Sequence, residues 1–502
     1  MDAPANHSTA VFERAAILLI CLLAAAHVYV FSATFPFYNI MDEQQHFDLV
    51  VRYSQADLPR TLVNACDDAL PYLAIFGTQE YLWAPETLPG GKVPPPPWTQ
   101  PMEEVQTRLM AKELLWKKSI INHEASQPPA YYAIAGAWWR LGGALGLHDG
   151  VLLYWLRFLN IPMIVLLVCL GWRAARTVFP ENNFIAIAVP ALIAFLPQKT
   201  FYAINNDSLA PLAFGLVFLL LLKFWEAEKL SPGLAAALGL AAAATFLTKT
   251  SELPLLAAAG IFFAWKIFNL ARSEKLRTSV PSLAILSLCA GLPMGAWMAW
   301  CRLNFGDFTG SVLKIEFLRW AHKPFAEWFH HPLFTASGFW FFLKGNLATF
   351  WQGEMLWHHQ PFASPVVDLT YVLLTLGALA FTLAALLRRP PQFTAPQRAA
   401  IGFSFLCVAA TFAFFALLSV KYDFQECVYP SRANPFFVSG RLMLGMLVPF
   451  LILFACGLDR LMKNFNTPVK FFALAALLAF MLASEITIDW PIFPNEYNWF
   501  HM

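Results

Sequence analysis

The sequence contains few charged residues. Asp, Glu, Lys and Arg make up 13% of its 502 residues and hydrophobic residues make up 58%, whereas a soluble globular protein carries roughly 25% charged residues. A deficit of that size over the whole length excludes an ordinary soluble domain and indicates that most of the chain lies in lipid. The net charge is only +2, and no basic stretch with interleaved aromatic residues is present, so nucleic acid is excluded as a partner.

Cysteine motifs and internal repeats are also lacking. The eight cysteines form no CxxC pair and no metal-type spacing. Cys66 and Cys427 both fall in segments that we expect outside the membrane, so a disulfide between them and two unrelated thiols are alternatives. No clear internal repeat is found, which counts against a transporter built from inverted halves.

Long apolar runs are what the sequence has in abundance. Runs of 17 or more residues mark candidate membrane helices, and they lie near 15–34, 151–174, 183–202, 208–225, 232–249, 252–269, 280–301, 366–387, 399–420, 438–458 and 469–487. They predict an all-α polytopic membrane protein with about 11 transmembrane helices.

Two long mixed segments interrupt these runs and divide the chain into five parts. The parts are the N-terminus with the first span (1–34), a first outer loop with surface helices (35–150), spans two to seven (151–302), a second outer loop (303–365), and the last four spans with the C-terminus (366–502).

The apolar segment Gln127–Leu147 determines which side of the membrane is predicted to be cytoplasmic. If it does not span, the basic residues of the short connections, among them Arg173, Lys266 and Arg460, lie on the same side as the N-terminus. The positive-inside rule then makes that side cytoplasmic. We therefore predict that this segment is a helix on the outer surface, with the N-terminus inside and the C-terminus outside. The protein would be a multi-pass protein of the inner (plasma) membrane, with membrane lipid as a partner.

An acidic pair follows the first span directly, in the stretch FYNIMDEQQHFD. Asp42 and Glu43 are adjacent, His46 and Asp48 come shortly after, and the predicted topology places all four outside. The alternative for the pair is a cap of an outer helix that starts near Gln44.

Four cations lie at or just inside the outer ends of the predicted spans: Arg157, Lys199, Lys249 and Arg441. Charges within spans are costly and usually have a partner or a task. Four at one depth predict a site for an anion at the outer interface, and a lipid phosphate is the anion found at that depth. The alternative is that each side chain extends to the lipid headgroups by itself.

Two further polar motifs reach the same level. INHEASQPPAYY holds His123, Glu124 and Gln127, and NNDSL holds Asn206 and Asp207. The alternatives are a surface pair for the first motif and an ordinary turn with a helix N-cap for the second.

The order of these motifs is similar to a known family. An acidic pair after the first span, a QPPAYY helix, RFLN, NNDSL, TKTS and a late GRLMLG together resemble the GT-C superfamily of polyprenyl-phosphate-sugar-dependent glycosyltransferases. Bacterial relatives of the protein O-mannosyltransferases and of the lipid A aminoarabinose transferase are the most similar branches. The resemblance runs from about residue 15 to 458.

The resemblance implies an inverting transfer of a sugar from a polyprenyl-phosphate donor to a hydroxyl of a glycan, lipid or protein acceptor, on the outer (periplasmic) face. Asp42 would be the catalytic base, with Glu43 beside it. The four cations would bind the donor phosphate. The substrate-binding residues would be His46, Asp48, Gln127, Asn206 and Asp207. No cofactor is certain, and His123 and Glu124 are candidate ligands of a divalent metal.

Two rival functions use the same residues. A transporter or flippase for a lipid-linked glycan would need the cations but not the outer acidic pair. A glycan ligase or polymerase with a diphosphate-linked donor would favour an arginine-rich outer loop, and the loop after Lys421 offers only Arg432 before Arg441.

Overall fold

The computed structural model describes residues 4–39, 42–77, 83–272, 277–358, 360–427 and 429–502. The described chain is mostly helical. Its α-helices are α1 (Pro4–Thr34), α2 (Glu43–Ser54), α3 (Leu70–Phe76), α4 (Met102–Ser119), α5 (Ala130–Ala144), α6 (Asp149–Arg157), α7 (Asn160–Val178), α8 (Asn183–Ala194), α9 (Ala210–Glu226), α10 (Pro232–Thr248), α11 (Leu253–Arg272), α12 (Val280–Asn304), α13 (Val312–Phe317), α14 (Phe325–Trp328), α15 (Ala336–Gln352), α16 (Pro365–Leu387), α17 (Ala395–Lys421), α18 (Leu447–Leu461) and α19 (Thr467–Asp489).

Strands are confined to short antiparallel pairs in the described residues. Their bounds are β1 (Val63–Asn64) with β2 (Ile121–Asn122), β3 (Ala321–His322) with β6 (Tyr422–Asp423), and β4 (Leu356–Trp357) with β5 (Gln360–Pro361). The first two pairs join segments far apart in the chain, and the third closes a short hairpin between α15 and α16.

Nine segments of the described chain are long and apolar enough to cross a membrane: Phe12–Thr34, Asp149–Val178, Asn206–Glu226, Thr250–Arg272, Arg277–Asn304, Pro365–Leu387, Ala395–Lys421, Gly440–Leu461 and Thr467–Asp489. Two shorter apolar helices, α8 and α10, lie at two further predicted spans. The fold is therefore consistent with a polytopic membrane protein, while the number and orientation of the spans stay predictions.

The predicted span 183–202 is shorter in the structure than in the prediction. α8 ends at Ala194, and a separate 3-10 turn covers Lys199–Tyr202. Pro197 lies between them, and a proline disfavours helical geometry in the residue before it. The predicted span 151–174 likewise consists of two helices, α6 and α7.

α18 lies at the centre of the helical bundle. In the most apolar stretch of its segment, Gly440–Leu461, 89% of the residues are buried, whereas in that of α19 only 22% are buried. A 3-10 stretch, Gly440–Met446, leads into α18 and carries Arg441. Because α18 is enclosed by protein, Arg441 at its entrance lies inside the bundle rather than in lipid.

The first outer segment is held against the bundle by close helix packing. The predicted surface helix is α5, and a Cβ on its Gly136 would lie 2.9 Å from the backbone N of Ser54, at the end of α2. Trp138 of α5 stacks on Trp155 of α6 at 4.3 Å, and each indole donates to the other's backbone carbonyl. These contacts fix α2, which begins directly after Asp42.

The structure bears on the two alternatives for Cys66 and Cys427, a disulfide or two unrelated thiols. Cys66 and Cys427 are both free thiols, so the structure favours two unrelated cysteines over a disulfide.

Candidate active site

Asp42 occupies an unusual backbone conformation at the entrance of α2. Its φ is 62° and its ψ is 8°, in the left-handed region, which non-glycine residues seldom adopt and which often marks functional sites. Asp42 stands at the N-cap position, yet its side chain makes no capping hydrogen bond with the described residues. The carboxylate instead accepts a hydrogen bond of 2.9 Å from Nη2 of Arg441.

Arg441 is the centre of a group of charges that we call the acid–cation cluster: Asp42, Asp207, Lys249, Glu354 and Arg441. Nη1 of Arg441 lies 3.4 Å from Oδ2 of Asp207, and Nε lies 3.6 Å from Oε2 of Glu354. Nζ of Lys249 lies 2.5 Å from Oδ1 of Asp207. The structure thus brings two of the four predicted cations to the predicted base, from segments far apart in the chain.

Asp42 is kept ionised by these neighbours. Burial alone would raise its pKa, but the guanidinium of Arg441, together with His123 and Lys314, holds the pKa of Asp42 below its usual value. The side chain of Asp42 is 24% exposed, whereas that of Arg441 is 12% exposed.

A second wall of the site comes from the segment before α5. Oε1 of Glu124 accepts from Nζ of Lys314 at 2.5 Å, and Nε2 of Gln127 donates to Oε2 of Glu124 at 2.5 Å. Asn206 donates to Oε1 of Gln127 at 3.1 Å. Nε2 of His123 lies 3.8 Å from Oδ1 of Asp42. Asp42 therefore stands between Arg441 and the His123–Glu124 wall.

The donor set of Asp42, His123 and Glu124 matches a divalent metal by residue type. Their ligand atoms lie within 4.8 Å of one another, and two carboxylates with an imidazole suit zinc or manganese. Nε2 of His123 faces both carboxylates, 3.8 Å from Oδ1 of Asp42 and 3.3 Å from Oε1 of Glu124, and Nδ1 of the same ring lies 3.0 Å from the side-chain amide of Gln45. Lys314 already occupies Oε1 of Glu124.

Glu43 and Arg157 pair with each other away from the acid–cation cluster. The guanidinium donates twice to the carboxylate, at 2.8 and 2.7 Å, and both side chains are fully buried. Glu43 also accepts from the backbone N–H groups of Tyr38 and Ile204. The remaining donors of Arg157 are used by the carbonyl oxygens of residues 32, 35 and 36. Neither side chain has a group left for a substrate in this arrangement.

Three other predicted site residues are held by protein contacts. Lys199 pairs with Asp489 at 3.2 Å and lies 3.5 Å from the backbone carbonyl of Gln352. Asp48 accepts from Asn122 at 2.7 Å and from the backbone N–H of residue 66. His46 contacts Tyr132 at 2.7 Å, and burial lowers its pKa to about 4, so its ring is neutral near pH 7.

Glu354 and Lys314 were not predicted to belong to the site. Glu354 follows Gly353, whose φ is 75° and whose Cβ position lies 2.3 Å from Oε1 of Gln198, so only glycine fits the turn that directs Glu354 inward. Burial raises the pKa of Glu354, and Asp207 and Asp42 add to this against the effect of Arg441. The sequence signal that could have found Glu354 is its position as a lone acid in the aromatic stretch FWQGEMLW. Lys314 lies in the short helix α13, and no sequence signal pointed to it.

Comparison with known proteins gives distant structural similarity only. No family model matches the sequence, and no curated protein matches it. Among solved structures, the chain is similar to the apo form of the oligosaccharyltransferase of Archaeoglobus fulgidus, with a TM-score of 0.39 and 12% identity over 95% of this chain. The match covers 55% of that protein, so this chain spans about half its length.

Proposed function

We propose that the chain is an inverting glycosyltransferase that moves a sugar from a polyprenyl-phosphate donor to an acceptor hydroxyl on the outer (periplasmic) face of the membrane. One observation carries the proposal. The partly exposed carboxylate of Asp42 lies 2.9 Å from Arg441. Asp207 contacts both Arg441 and Lys249. The base and two cations for a phosphate therefore belong to one cluster.

The reaction needs a base at the acceptor. Asp42 takes the proton of the acceptor hydroxyl while that oxygen attacks the anomeric carbon of the sugar. The bond between the anomeric carbon and the donor phosphate breaks, and its electron pair leaves with the phosphate oxygen. Attack from the face opposite the phosphate inverts the configuration, and no carboxylate nucleophile is required, unlike in a retaining mechanism.

The leaving phosphate needs cations. Arg441 presents a planar fork of donors that matches phosphate oxygens, and a well-placed donor of this kind is worth about 3–4 kcal/mol in the transition state. Its contacts of 3.4 Å to Asp207 and 3.6 Å to Glu354 are longer than good hydrogen bonds. We therefore assign these two contacts as those that a donor phosphate replaces, with Lys249 as the second cation.

The other residues of the two walls would bind and orient the substrates. Gln127, Asn206 and Glu124 offer amide and carboxylate groups to sugar hydroxyls, and Asp207 holds Lys249 in place. We assign Glu43, Arg157 and Lys199 to the support of the fold around the site rather than to the chemistry.

The proposal is tested by a transfer assay in vesicles. Purified protein receives a panel of radiolabelled polyprenyl-phosphate sugars and envelope acceptors. We expect release of free polyprenyl phosphate and a product of inverted anomeric configuration by NMR. Movement of a fluorescent lipid-linked glycan across the bilayer with its glycosidic bond intact would support the flippase instead. Turnover of diphosphate-linked donors alone would support the ligase.

The pH profile gives a second test. Because the pKa of Asp42 is lowered, the base is ionised throughout about pH 5 to 8, and activity should be lost only when the pH falls through that low pKa. Arg441→Gln removes the largest lowering influence, so the acid limb of kcat/KM should move to higher pH as the overall rate falls. An acid limb near neutral pH that does not move in this variant would assign the limb to a group other than Asp42.

Chelation gives a third test. Because Nζ of Lys314 pairs with Oε1 of Glu124, the position that a metal would need at this carboxylate is taken, and EDTA is expected to leave the transfer rate unchanged. The rate is measured after chelation and again after addition of magnesium or manganese. A loss on chelation that a divalent cation restores would contradict this assignment.

A further inference from the structure

The second outer loop exposes a dense group of aromatic side chains. We call it the aromatic patch: Phe325, Phe329, Phe334, Phe339, Trp340 and Phe341, which are exposed by 40 to 67%. Phe329 contacts both Phe325 and Phe334 through ring centroids 5.3 and 6.5 Å apart. An apolar surface of this kind marks a contact with another apolar phase or partner.

The underside of the patch is fixed to the bundle at the end of a candidate span. β3 pairs with β6, which begins directly after α17 ends at Lys421, and the backbone N–H of Lys323 donates to the carbonyl of Lys421 at 2.9 Å. Phe342, only 2% exposed, faces Phe412 of α17 at 6.2 Å. The patch therefore continues the outer surface of α17 at the level where that helix would leave the membrane.

We propose that the aromatic patch inserts into the outer leaflet of the membrane. The stretch 325–341 contains no Lys or Arg and one acid, Glu327, while Lys323 and Lys344 flank it. Aromatic side chains bracketed by lysines are typical of the membrane interface, where the rings sit among headgroups and the amines extend to water. The aromatic patch lies beside the end of α17, and this position favours lipid over a protein partner as the phase that contacts it.

Insertion of the patch would also set the height of the acid–cation cluster. α15 begins at Ala336, inside the patch, and its 17 residues span about 25 Å. It ends at Gln352, two residues before Glu354. One rigid helix thus connects the membrane-inserted patch to the cluster, and this inference does not depend on which reaction the cluster performs.

Fluorescence quenching in vesicles tests the proposal. Full-length Phe329→Cys carries an environment-sensitive dye and is reconstituted in phosphatidylcholine vesicles with either doxyl-labelled lipid or aqueous iodide as quencher. Leu373→Cys, exposed on α16, is the lipid-facing reference, and Met110→Cys, exposed on α4, is the aqueous reference. The unsubstituted protein, labelled in parallel, gives the background of its eight native thiols.

We expect blue-shifted emission and a loss of fluorescence to the lipid quencher at position 329, as at position 373. Quenching by iodide, as at position 110, would overturn the proposal. Protection from both quenchers would overturn it too, in favour of a second protein surface such as another copy of this chain. A Phe334→Cys variant repeats the measurement on the same patch, so the result does not depend on one substitution.

Discussion

Asp42→Asn is expected to lower the rate of sugar transfer by about 10²–10⁴-fold, the usual contribution of a positioned base. Asparagine has the shape of aspartate and keeps an oxygen that accepts from Arg441, so the fold should be preserved. Its amide does not take a proton from the acceptor hydroxyl. Removal of the negative charge also weakens the competition between residue 42 and the donor phosphate for Arg441, so kcat should fall while KM stays the same or decreases. Single-turnover transfer and equilibrium binding of the donor measure the two effects separately.

A matched control lies at the other end of the same helix. Asp57 follows α2, is 52% exposed and pairs with Arg52, away from the acid–cation cluster. Asp57→Asn should therefore transfer sugar at the wild-type rate. If Asp42→Asn also kept the wild-type rate, the base would have to be sought elsewhere, and Glu354 would be the next carboxylate to substitute.

Hydropathy predicts a level in the membrane for each cation, but it does not predict which side chain each cation faces. Hydropathy locates the end of each span, so Lys199, Lys249 and Arg441 were all expected at the outer level. Which helix ends face each other depends on packing around the bundle, for which one sequence gives no signal. Lys249 faces Asp207 and belongs to the cluster, whereas Lys199 faces Asp489.

The acidic pair shows the same limit at the scale of adjacent residues. Successive residues at a helix start point in directions about 100° apart, so Asp42 and Glu43 cannot share one environment. The left-handed backbone of Asp42 turns its carboxylate to Arg441, and Glu43, in the first turn of α2, points to Arg157. The sequence predicted a pair of acids after the first span without distinguishing their partners.

Interruptions of helices within apolar runs were the main obstacle to predicting the fold. Hydropathy averages over a window, so it does not register the break between α6 and α7 or the early end of α8. Glu354 escaped prediction for a related reason, since it reaches the site only through the turn at Gly353, which a tight contact with Gln198 imposes.

The second large expected effect is a loss of stability when the buried ion pair of Glu43 and Arg157 is broken. Breaking a buried pair leaves one charge uncompensated and typically costs about 3–5 kcal/mol. Arg157→Met and Glu43→Gln are therefore each expected to lower the Tm in detergent and the yield of folded protein. The pair of Arg52 with the half-exposed Asp57 gives the control, because Asp57→Asn should change stability by less than about 1 kcal/mol.

The double variant separates a structural role from a catalytic one. With both charges removed, the loss should be smaller than the sum of the two single losses, since no unpaired charge stays buried; a coupling of about 0.5–3 kcal/mol is typical of residues in contact. Recovery of stability should be partial, because one of the two backbone N–H groups of Tyr38 and Ile204 loses its acceptor and three carbonyl oxygens lose their donor. A Glu43→Gln protein with wild-type Tm and no transfer activity would instead place Glu43 in the chemistry beside Asp42.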